Sequence, residues 1–347
     1  MTEHNPQRAA DIRGAPSRRP QHSARSSRPF AIAAAAISAL ALAAVYNRHR
    51  ADEAERDNPP AGRFVEIGGV HLHYVERGQG EPLVLLHGNG SMVQDFESSG
   101  LLDMAAQKYR VIAFDRPGFG HSERPRSTVW TPEKQADLIH AALVKIGVTR
   151  AIVLGHSWGA SVATALALKY PHAVGSLILA SGYYYPSARA DVVLASGPAV
   201  PVVGDVMRYT LAPILGRAMW PIVLRKIFGP ASTPQKFEGF PKEMALRPSQ
   251  IRAVAAESAL MIPNAVRMQG DYAALRMPVV IVSGDGDRLI DIDDQSARLH
   301  EDIAHSSFHR IRGAGHMVHQ SAPGAVMAAI DEAAAAGREA EALPRAA

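Results

Sequence analysis

The 347-residue chain contains no cysteine. A disulfide framework, a thiolate nucleophile and a cysteine-ligated metal site are therefore all excluded. Charged residues make up 20% of the chain and hydrophobic residues 47%, as in ordinary globular proteins. The formal net charge of +4 comes from the first 50 residues, which hold eight arginines and two acidic side chains. The rest of the chain has 29 basic and 31 acidic side chains, so no nucleic-acid partner is expected for it.

Long apolar runs are few, and one of them lies near the N-terminus. Residues 1–28 are rich in Arg, Ser and Pro without apolar periodicity, which predicts a disordered tail. Residues 29–47 include an uncharged run of Ala, Leu and Ile at the lower length limit for a spanning helix. A membrane anchor is favoured, with the arginines in the cytoplasm and the catalytic domain outside it. A cleaved secretory signal and a cytoplasmic surface helix or transit peptide are the alternatives. Residues 48–62 are predicted to be a polar linker.

The most informative stretch is 151–160, where four apolar residues lead into Gly-His-Ser-Trp-Gly and a helical pattern follows. A strand, a sharp turn around Gly-x-Ser-x-Gly and a helix together make a nucleophile elbow. Gly155 and Gly159 leave room for the turn, and Ser157 is presented at a helix N-terminus that favours developing negative charge. A chance pentapeptide at an ordinary turn is the alternative, and the flanking strand and helix favour the nucleophile.

Strand and helix patterns alternate along the body of the chain, which predicts a mostly parallel sheet with helices on both faces. The alternation breaks over 183–275, and about 90 residues without a strand are too long for a loop. That segment is predicted to be an inserted helical cap, and the core is expected over 63–182 and 276–337. The apolar runs that predict buried strands are 82–86, 110–115, 151–155, 176–180 and 278–283.

A serine needs a base within hydrogen-bond reach, and the base needs an orienting carboxylate. The chain offers Ser157, Asp287 and His316 in that order, each at the carboxyl end of a strand or in the loop that follows. His319 is the competing base and Asp285 the competing acid. Both are disfavoured, because Asp287 lies beyond the strand end and His316 lies in a Gly-rich loop.

Two backbone amides are predicted to hold the oxyanion of the transition state. The strand ending at residue 86 runs into His87-Gly88-Asn89-Gly90, and such a turn lets the Asn89 N–H face a pocket. The second donor is the N–H of Trp158, the residue after the nucleophile. The alternative is that His87-Gly88 is only a turn. This chemistry needs no cofactor or metal, and none is predicted.

Two further polar positions have structural interpretations. Asp115 ends a strand, and its carboxylate is expected to brace the Gly-rich turn that follows through side-chain to backbone hydrogen bonds. His71 and His73 alternate along a predicted strand and are expected to be exposed to solvent.

Over about residues 63–336 the chain resembles the α/β-hydrolase superfamily. The resemblance implies an α/β-hydrolase fold with an eight-stranded, mostly parallel sheet and a helical cap. It also implies nucleophile, acid and base roles for Ser157, Asp287 and His316, and oxyanion amides at Asn89 and Trp158. The motifs that carry it are His87-Gly-Asn-Gly90, Asp115-Arg-Pro-Gly-Phe-Gly-His-Ser122, Gly155-His-Ser-Trp-Gly159, Gly284-x-x-Asp287 and Gly313-Ala-Gly-His316.

Asn89 and Trp158 also resemble the halide-binding pair of haloalkane dehalogenases, which use an aspartate where this chain has Ser157. A serine would form an ether that water does not cleave, so acyl transfer is expected instead. The leading hypothesis is hydrolysis of a carboxylic ester of a small, lipophilic carbonyl compound. One alternative is hydrolysis of C–C bonds in ring-cleavage products, which requires a cap arginine such as Arg189 or Arg208 at the pocket. The others are a cofactor-free haloperoxidase or perhydrolase and a non-catalytic binding protein.

Overall fold

The structure, a computed structural model, describes residues 27–342. The tail predicted for 1–28 lies almost wholly outside the described residues. The strands are β1 (Arg63–Ile67), β2 (Val70–Arg77), β3 (Pro82–Leu86), β4 (Arg110–Phe114), β5 (Ala151–His156), β6 (Val174–Ala180), β7 (Val279–Gly284) and β8 (Ser306–Ile311). The α-helices are α1 (Ser27–Asp57), α2 (Val93–Ser99), α3 (Leu101–Ala106), α4 (Pro132–Lys145), α5 (Trp158–Lys169), α6 (Ala190–Ala195), α7 (Val203–Tyr209), α8 (Leu211–Phe228), α9 (Lys242–Ala245), α10 (Pro248–Met268), α11 (Arg298–Asp302), α12 (Val318–Ser321) and α13 (Pro323–Ala342).

The eight strands form one sheet in the order β1-β2-β4-β3-β5-β6-β7-β8. β2 is antiparallel to both neighbours, and β3 to β8 are mutually parallel. The apolar strands are buried on both faces, because α4 and α5 cover one face and α3 and α13 cover the other. The prediction of a mostly parallel, eight-stranded sheet is therefore confirmed. The parallel strands also place all their carboxyl ends at one edge, where such sheets build their sites.

Between β6 and β7 the described chain has the helices α6 to α10 and no strand, in agreement with the predicted cap. α10 begins with Pro248 in its first turn, a position that tolerates proline because that N–H has no partner within the helix. The helix crosses the carboxyl edge of the sheet. There the Asn89 side chain donates to the Val254 carbonyl and to Ser258 Oγ, both at 3.2 Å.

The N-terminal helix differs from its predicted boundaries. α1 does not end at residue 47 but continues through much of the stretch 48–62 that was predicted to be a linker. The buried Asn47 amide donates to two backbone carbonyls at the junction of α7 and α8, at 3.0 and 2.7 Å. Further along, Glu55 pairs with Arg247 of the cap at 2.7 Å. The polar composition of this stretch therefore reflects a helix that is docked on the cap through hydrogen bonds and ion pairs.

Candidate active site

The turn between β5 and α5 holds Ser157 in a backbone conformation that few residues adopt. Its φ is 53° and its ψ is −119°, and its N–H donates to the Ala180 carbonyl at 2.9 Å. A Cβ atom on Gly155 would lie 2.3 Å from the Gly159 carbonyl oxygen, and one on Gly159 would lie 2.1 Å from the Leu86 carbonyl oxygen. Both positions therefore require glycine, and the strained turn sets the serine hydroxyl at the start of a helix.

The structure brings the three predicted residues into one hydrogen-bonded chain. His316 Nε2 lies 3.0 Å from Ser157 Oγ, and His316 Nδ1 lies 2.7 Å from Asp287 Oδ2. Asp287 Oδ1 accepts the backbone N–H groups of Leu289 and Ile290 at 2.7 and 3.0 Å. Burial raises the pKa of Asp287, but the imidazole and these two donors outweigh it and hold the pKa below its usual range. Asp287 is therefore a carboxylate that fixes the Nδ1–H tautomer of the imidazole.

The loop that carries His316 is held by the cap and by the sheet. A Cβ on Gly315 would lie 2.4 Å from a carbonyl oxygen just after α8, so the loop passes against the cap backbone. The Met317 N–H donates to the Ile227 carbonyl of α8 at 3.2 Å. On the other side, the His316 carbonyl accepts the Nε2–H of His156 at 3.0 Å. His156 directly precedes Ser157 in the chain, and its ring holds the loop of His316 through this hydrogen bond.

The two predicted oxyanion amides are available to a ligand. Neither the Asn89 N–H nor the Trp158 N–H has a hydrogen-bond acceptor among residues 27–342. Trp158 is the first residue of α5, where a helix leaves its N–H groups without internal partners. A Cβ on Gly88 would lie 3.1 Å from Ser157 Cβ, so the loop that carries Asn89 lies directly against the nucleophile.

A fully buried arginine, whose role is not evident from the sequence, holds this loop. Arg116 donates through Nε to the His87 carbonyl at 2.7 Å and through Nη2 to the Gly88 carbonyl at 2.9 Å. It also pairs with Glu257 of α10 through two contacts of 2.5 and 3.0 Å. In a trans peptide the C=O and N–H point in opposite directions. Holding the Gly88 carbonyl therefore turns the Asn89 N–H away from Arg116.

The competing histidine and aspartate lie in other contacts. His319 Nε2 is 3.1 Å from Asp95 Oδ2, and Asp285 accepts the Gly313 N–H at 2.7 Å. Asp95, His156 and His319 place their side-chain oxygen and nitrogen atoms within 4.8 Å of one another. Within residues 27–342 they are the one group of His, Asp and Glu side chains close enough together to hold a metal ion. Burial raises the pKa of Asp95, but His319 outweighs it and lowers the pKa, while burial lowers that of His156. Asp95 on α2, His156 at the end of β5 and His319 on α12 therefore lie close together in the buried interior.

The Gly-rich turn after β4 is braced as predicted, but one neighbouring residue differs from expectation. Asp115 accepts the Val93 N–H at 2.8 Å and the His121 N–H at 3.0 Å. His73, expected to be exposed, is instead fully buried, and its Nδ1 lies 2.7 Å from Asp115 Oδ2. The reason is the position of β2 inside the sheet, where this side chain faces the carboxylate. His71 is exposed as predicted.

Three buried carboxylates give the fold a specific sensitivity to acid. Burial raises the pKa values of Asp95, Asp115 and Asp287, but imidazoles and N–H donors outweigh burial and lower all three. Such groups stabilise the folded chain above the unfolded pKa of about 3.9, and the contribution is lost as pH falls through the folded pKa. We expect the thermal midpoint to fall steeply below about pH 4. The fall should be shallower for Asp115→Asn than for the exposed control Asp103→Asn, and equal slopes would contradict this account.

Comparisons with known proteins bear on the fold that carries these residues. A family model described as alpha/beta hydrolase fold matches residues 81–323. Among curated proteins, the 2-hydroxy-6-oxo-2,4-heptadienoate hydrolase of Pseudomonas putida is 27% identical over 265 residues, which are 75% of this chain and 91% of that protein. The chain matches less than half the length of several other curated relatives.

Solved structures show the same architecture. A thermophilic esterase from Thermogutta terrifontis superposes with a TM-score of 0.64 at 23% identity, covering 78% of this chain and 97% of that one. A bacterial membrane phospholipase A superposes with a TM-score of 0.61 at 21% identity, covering 88% of this chain and 96% of that one. At these identities the similarity shows the fold alone.

Proposed function

We propose that this chain, which belongs to the alpha/beta hydrolase fold family, is a serine hydrolase that cleaves carboxylic esters of a lipophilic compound. The observation that carries the proposal is the unbroken hydrogen-bond chain from Asp287 through His316 to Ser157 Oγ. The Asn89 and Trp158 amides, which have no acceptor within the described part of the chain, supply the electrostatic part of the same mechanism.

In the first step, the Ser157 hydroxyl proton passes to His316 Nε2 as Oγ attacks the ester carbonyl carbon. The imidazolium that forms is stabilised by the Asp287 carboxylate at 2.7 Å. The negative charge on the former carbonyl oxygen is bound by the N–H groups of Asn89 and Trp158, each worth about 3 kcal/mol in reactions of this type. The tetrahedral intermediate then expels the alkoxide, which leaves as an alcohol with the proton from His316.

Deacylation repeats the same sequence with water as the nucleophile. His316 takes a proton from water as the water oxygen attacks the acyl carbon on Ser157. The intermediate collapses, the C–Oγ bond breaks, and the imidazolium returns its proton to Ser157 Oγ. A carboxylic acid leaves, and every group of the site is restored.

The surroundings of the site favour a lipophilic substrate. Met317 directly follows the base and Ile290 lies three residues after the acid, and both belong to apolar clusters that include cap residues. Met317 packs with Phe228 and Phe237, and Ile290 packs with Tyr183. An acyl chain bound between cap and core would therefore meet hydrocarbon, and its transfer from water is favourable by about 0.8 kcal/mol per CH₂.

We also propose that α1 anchors the protein in a membrane, with the catalytic domain outside the cytoplasm. Among the described residues, α1 is the helix long and apolar enough by itself to cross a membrane. The arginines before it support this orientation. The second half of α1 contacts the cap through Asn47 and Glu55, which supports a helix that is not cleaved from the mature protein. Extraction of membranes with alkaline carbonate tests the anchor, because a cleaved or peripheral form would enter the soluble fraction.

Hydrolysis of a C–C bond in an acidic ring-cleavage product is the second candidate, and one arginine favours it. Arg189 of the cap lies over the Tyr183 ring and pairs with Asp191, yet its Nη1 is buried without a hydrogen-bond partner among the described residues. Arg208 is less suited, because it lines a cavity of about 620 Å³ that contains none of Ser157, Asp287 and His316. The relative from Pseudomonas putida is named for a substrate of this class.

Two substrate panels separate these functions. The full-length protein in detergent is assayed with p-nitrophenyl esters from acetate to palmitate and with a 2-hydroxy-6-oxo-dienoate. Ester hydrolysis predicts turnover that rises with acyl length and is unaffected by Arg189→Leu. C–C hydrolysis predicts dienoate turnover with a KM that rises several-fold in Arg189→Leu. If neither panel is turned over and a fluorophosphonate does not label Ser157, the protein is not a serine hydrolase.

A further inference from the structure

The cap exposes an apolar surface where a globular protein would normally carry polar side chains. α8 is the clearest case, because its exposed residues recur at helical spacing and are apolar, whereas Arg217 turns inward to pair with Glu243 at 2.9 Å. We call this the cap surface. Its exposed apolar residues are Val193, Leu194, Val200, Val202, Val203, Val206, Tyr209, Leu211, Ile214, Leu215, Met219, Ile222 and Val223.

The cap surface is continuous with the apolar part of α1. The side chain of Asn47 is buried at the junction of α7 and α8, where its Nδ2 donates to the carbonyls of Tyr209 and Thr210. Its Oδ1 accepts from Arg217 Nη1 at 2.7 Å. The residues of α1 before Asn47, from 29 to 46, are almost all exposed and uncharged. The apolar helix therefore leaves the protein body at the point where the exposed stripe of α8 begins.

We propose that the cap surface lies in the interface of the same lipid bilayer that α1 enters. If the bilayer holds residues 29–46, its boundary lies near Asn47, and the end of α7 and the start of α8 lie within hydrogen-bond distance of that residue. Helices with one apolar face lie in the membrane plane with that face about 5–10 Å into the headgroup and acyl boundary. A contiguous exposed apolar surface is also a recognised mark of such contacts.

Charge at the edges of the surface fits the same occupant. The apolar stripe of α8 ends at Arg225 and Lys226, and the apolar run of α1 is followed by Arg48 and Arg50. Arg50 already pairs with Glu53 and Lys226 with Asp191, so the attraction of about 1 kcal/mol per basic residue to anionic headgroups applies in full to Arg48 and Arg225. In both α1 and α8 the exposed side chains thus change from apolar to basic along the helix, as expected where a helix passes from the acyl region of a bilayer to anionic headgroups.

The contact would bring the bilayer close to the catalytic centre. α8 carries the apolar stripe on its outer face, and its end holds the histidine loop through the Met317 N–H and the Ile227 carbonyl at 3.2 Å. A lipophilic ester would then reach the site from the membrane without crossing water. This consequence rests on the proposed ester hydrolysis, whereas the contact with lipid does not.

The absence of cysteine makes the contact directly measurable in the full-length chain. Single variants Leu215→Cys and Ile222→Cys, at positions 55% and 53% exposed, are labelled with the polarity-sensitive dye NBD. Val144→Cys on α4, 58% exposed, is the matched control outside the cap, and Ile37→Cys in α1 is the control for insertion. Each protein is reconstituted in vesicles of phosphatidylcholine and phosphatidylglycerol, with or without spin-labelled lipids.

We expect quenching by spin-labelled lipid at positions 215 and 222 to exceed that at 144 several-fold and to approach that at 37. Quenching at 215 and 222 equal to that at 144, with 37 quenched, would overturn the proposal. A second copy of the protein, rather than lipid, could cover the cap surface, and nanodiscs that hold one copy test this. If the blue shift of NBD emission at positions 215 and 222 is seen in vesicles but vanishes in such nanodiscs, a second copy covers the surface and the proposal is overturned. None of these readouts needs enzymatic activity.

A second variant connects the surface to turnover. Leu215→Glu combined with Ile222→Glu places two charges on the outer face of α8, away from the catalytic residues. We expect unchanged turnover of a water-soluble short ester and a several-fold loss with a long-chain ester presented in vesicles. Equal losses on both substrates would show a general defect and contradict a role in lipid access. No ester turnover in the parent protein, with the quenching pattern intact, would reject the ester hydrolysis alone.

Discussion

Replacing Ser157 by alanine is expected to lower kcat for ester hydrolysis by about 10⁴- to 10⁶-fold while the protein stays folded. The alanine removes the atom that lies 3.0 Å from His316 Nε2 and that forms the acyl-enzyme in the proposed mechanism. His316→Ala should lose nearly as much, and the double variant no more than the larger single loss, because the two residues act as one unit. Additive losses, or a residual kcat within tenfold of the parent, would contradict the proposed mechanism.

Stability gives an internal control for the same position. With φ at 53° and ψ at −119°, Ser157 is in a conformation that costs a non-glycine residue about 1–3 kcal/mol. Ser157→Gly should therefore be as inactive as Ser157→Ala but have a higher thermal midpoint, since glycine adopts positive φ without strain. An equal or lower midpoint for the glycine variant would show that the turn is not strained in solution.

Much of the core and of this site could be predicted because both follow from strand ends. In a parallel sheet, residues that end neighbouring strands meet at one edge wherever they lie in the chain. His316, in the loop after β8, lies 159 residues from Ser157 after β5 and 29 residues from Asp287 after β7, and the three side chains still converge. The elbow glycines were predictable for a similar reason, since their lack of a side chain is a local requirement of the turn.

Other features depend on partners that the sequence does not reveal. The polar residues after position 47 suggested a linker, because nothing local shows that Asn47 and Glu55 meet the cap. His73 has the alternation of an exposed strand residue, and only the position of β2 between two strands buries it against Asp115. Arg116 lies in the motif of residues 115–122, but its partner Glu257 lies in a cap helix distant in sequence, so its contact was not predictable.

That buried pair carries the largest stability effect we expect. Glu257→Ala would leave the Arg116 guanidinium buried without its carboxylate, which costs about 3–5 kcal/mol of unfolding free energy. The exposed Arg338–Glu81 pair is the control, because its contact is also short at 2.8 Å and Glu81→Ala should cost less than about 1 kcal/mol. The measurement is the denaturation midpoint of each variant in detergent. Similar costs for both variants would show that burial does not govern the pair.

The double variant Arg116→Met with Glu257→Leu separates the effect of the pair on stability from its effect on the position of the loop that carries Asn89. Replacing both charges with apolar side chains should recover much of the stability that Glu257→Ala loses, because no unpaired charge remains. The Gly88 carbonyl nevertheless loses its donor at 2.9 Å, and the Asn89 N–H is no longer fixed. We therefore expect kcat to stay low, approaching the roughly 10²- to 10³-fold loss of one oxyanion donor, with KM little changed. Recovery of kcat together with stability would show that Arg116 only supports the fold and does not orient the Asn89 amide that we propose for the oxyanion.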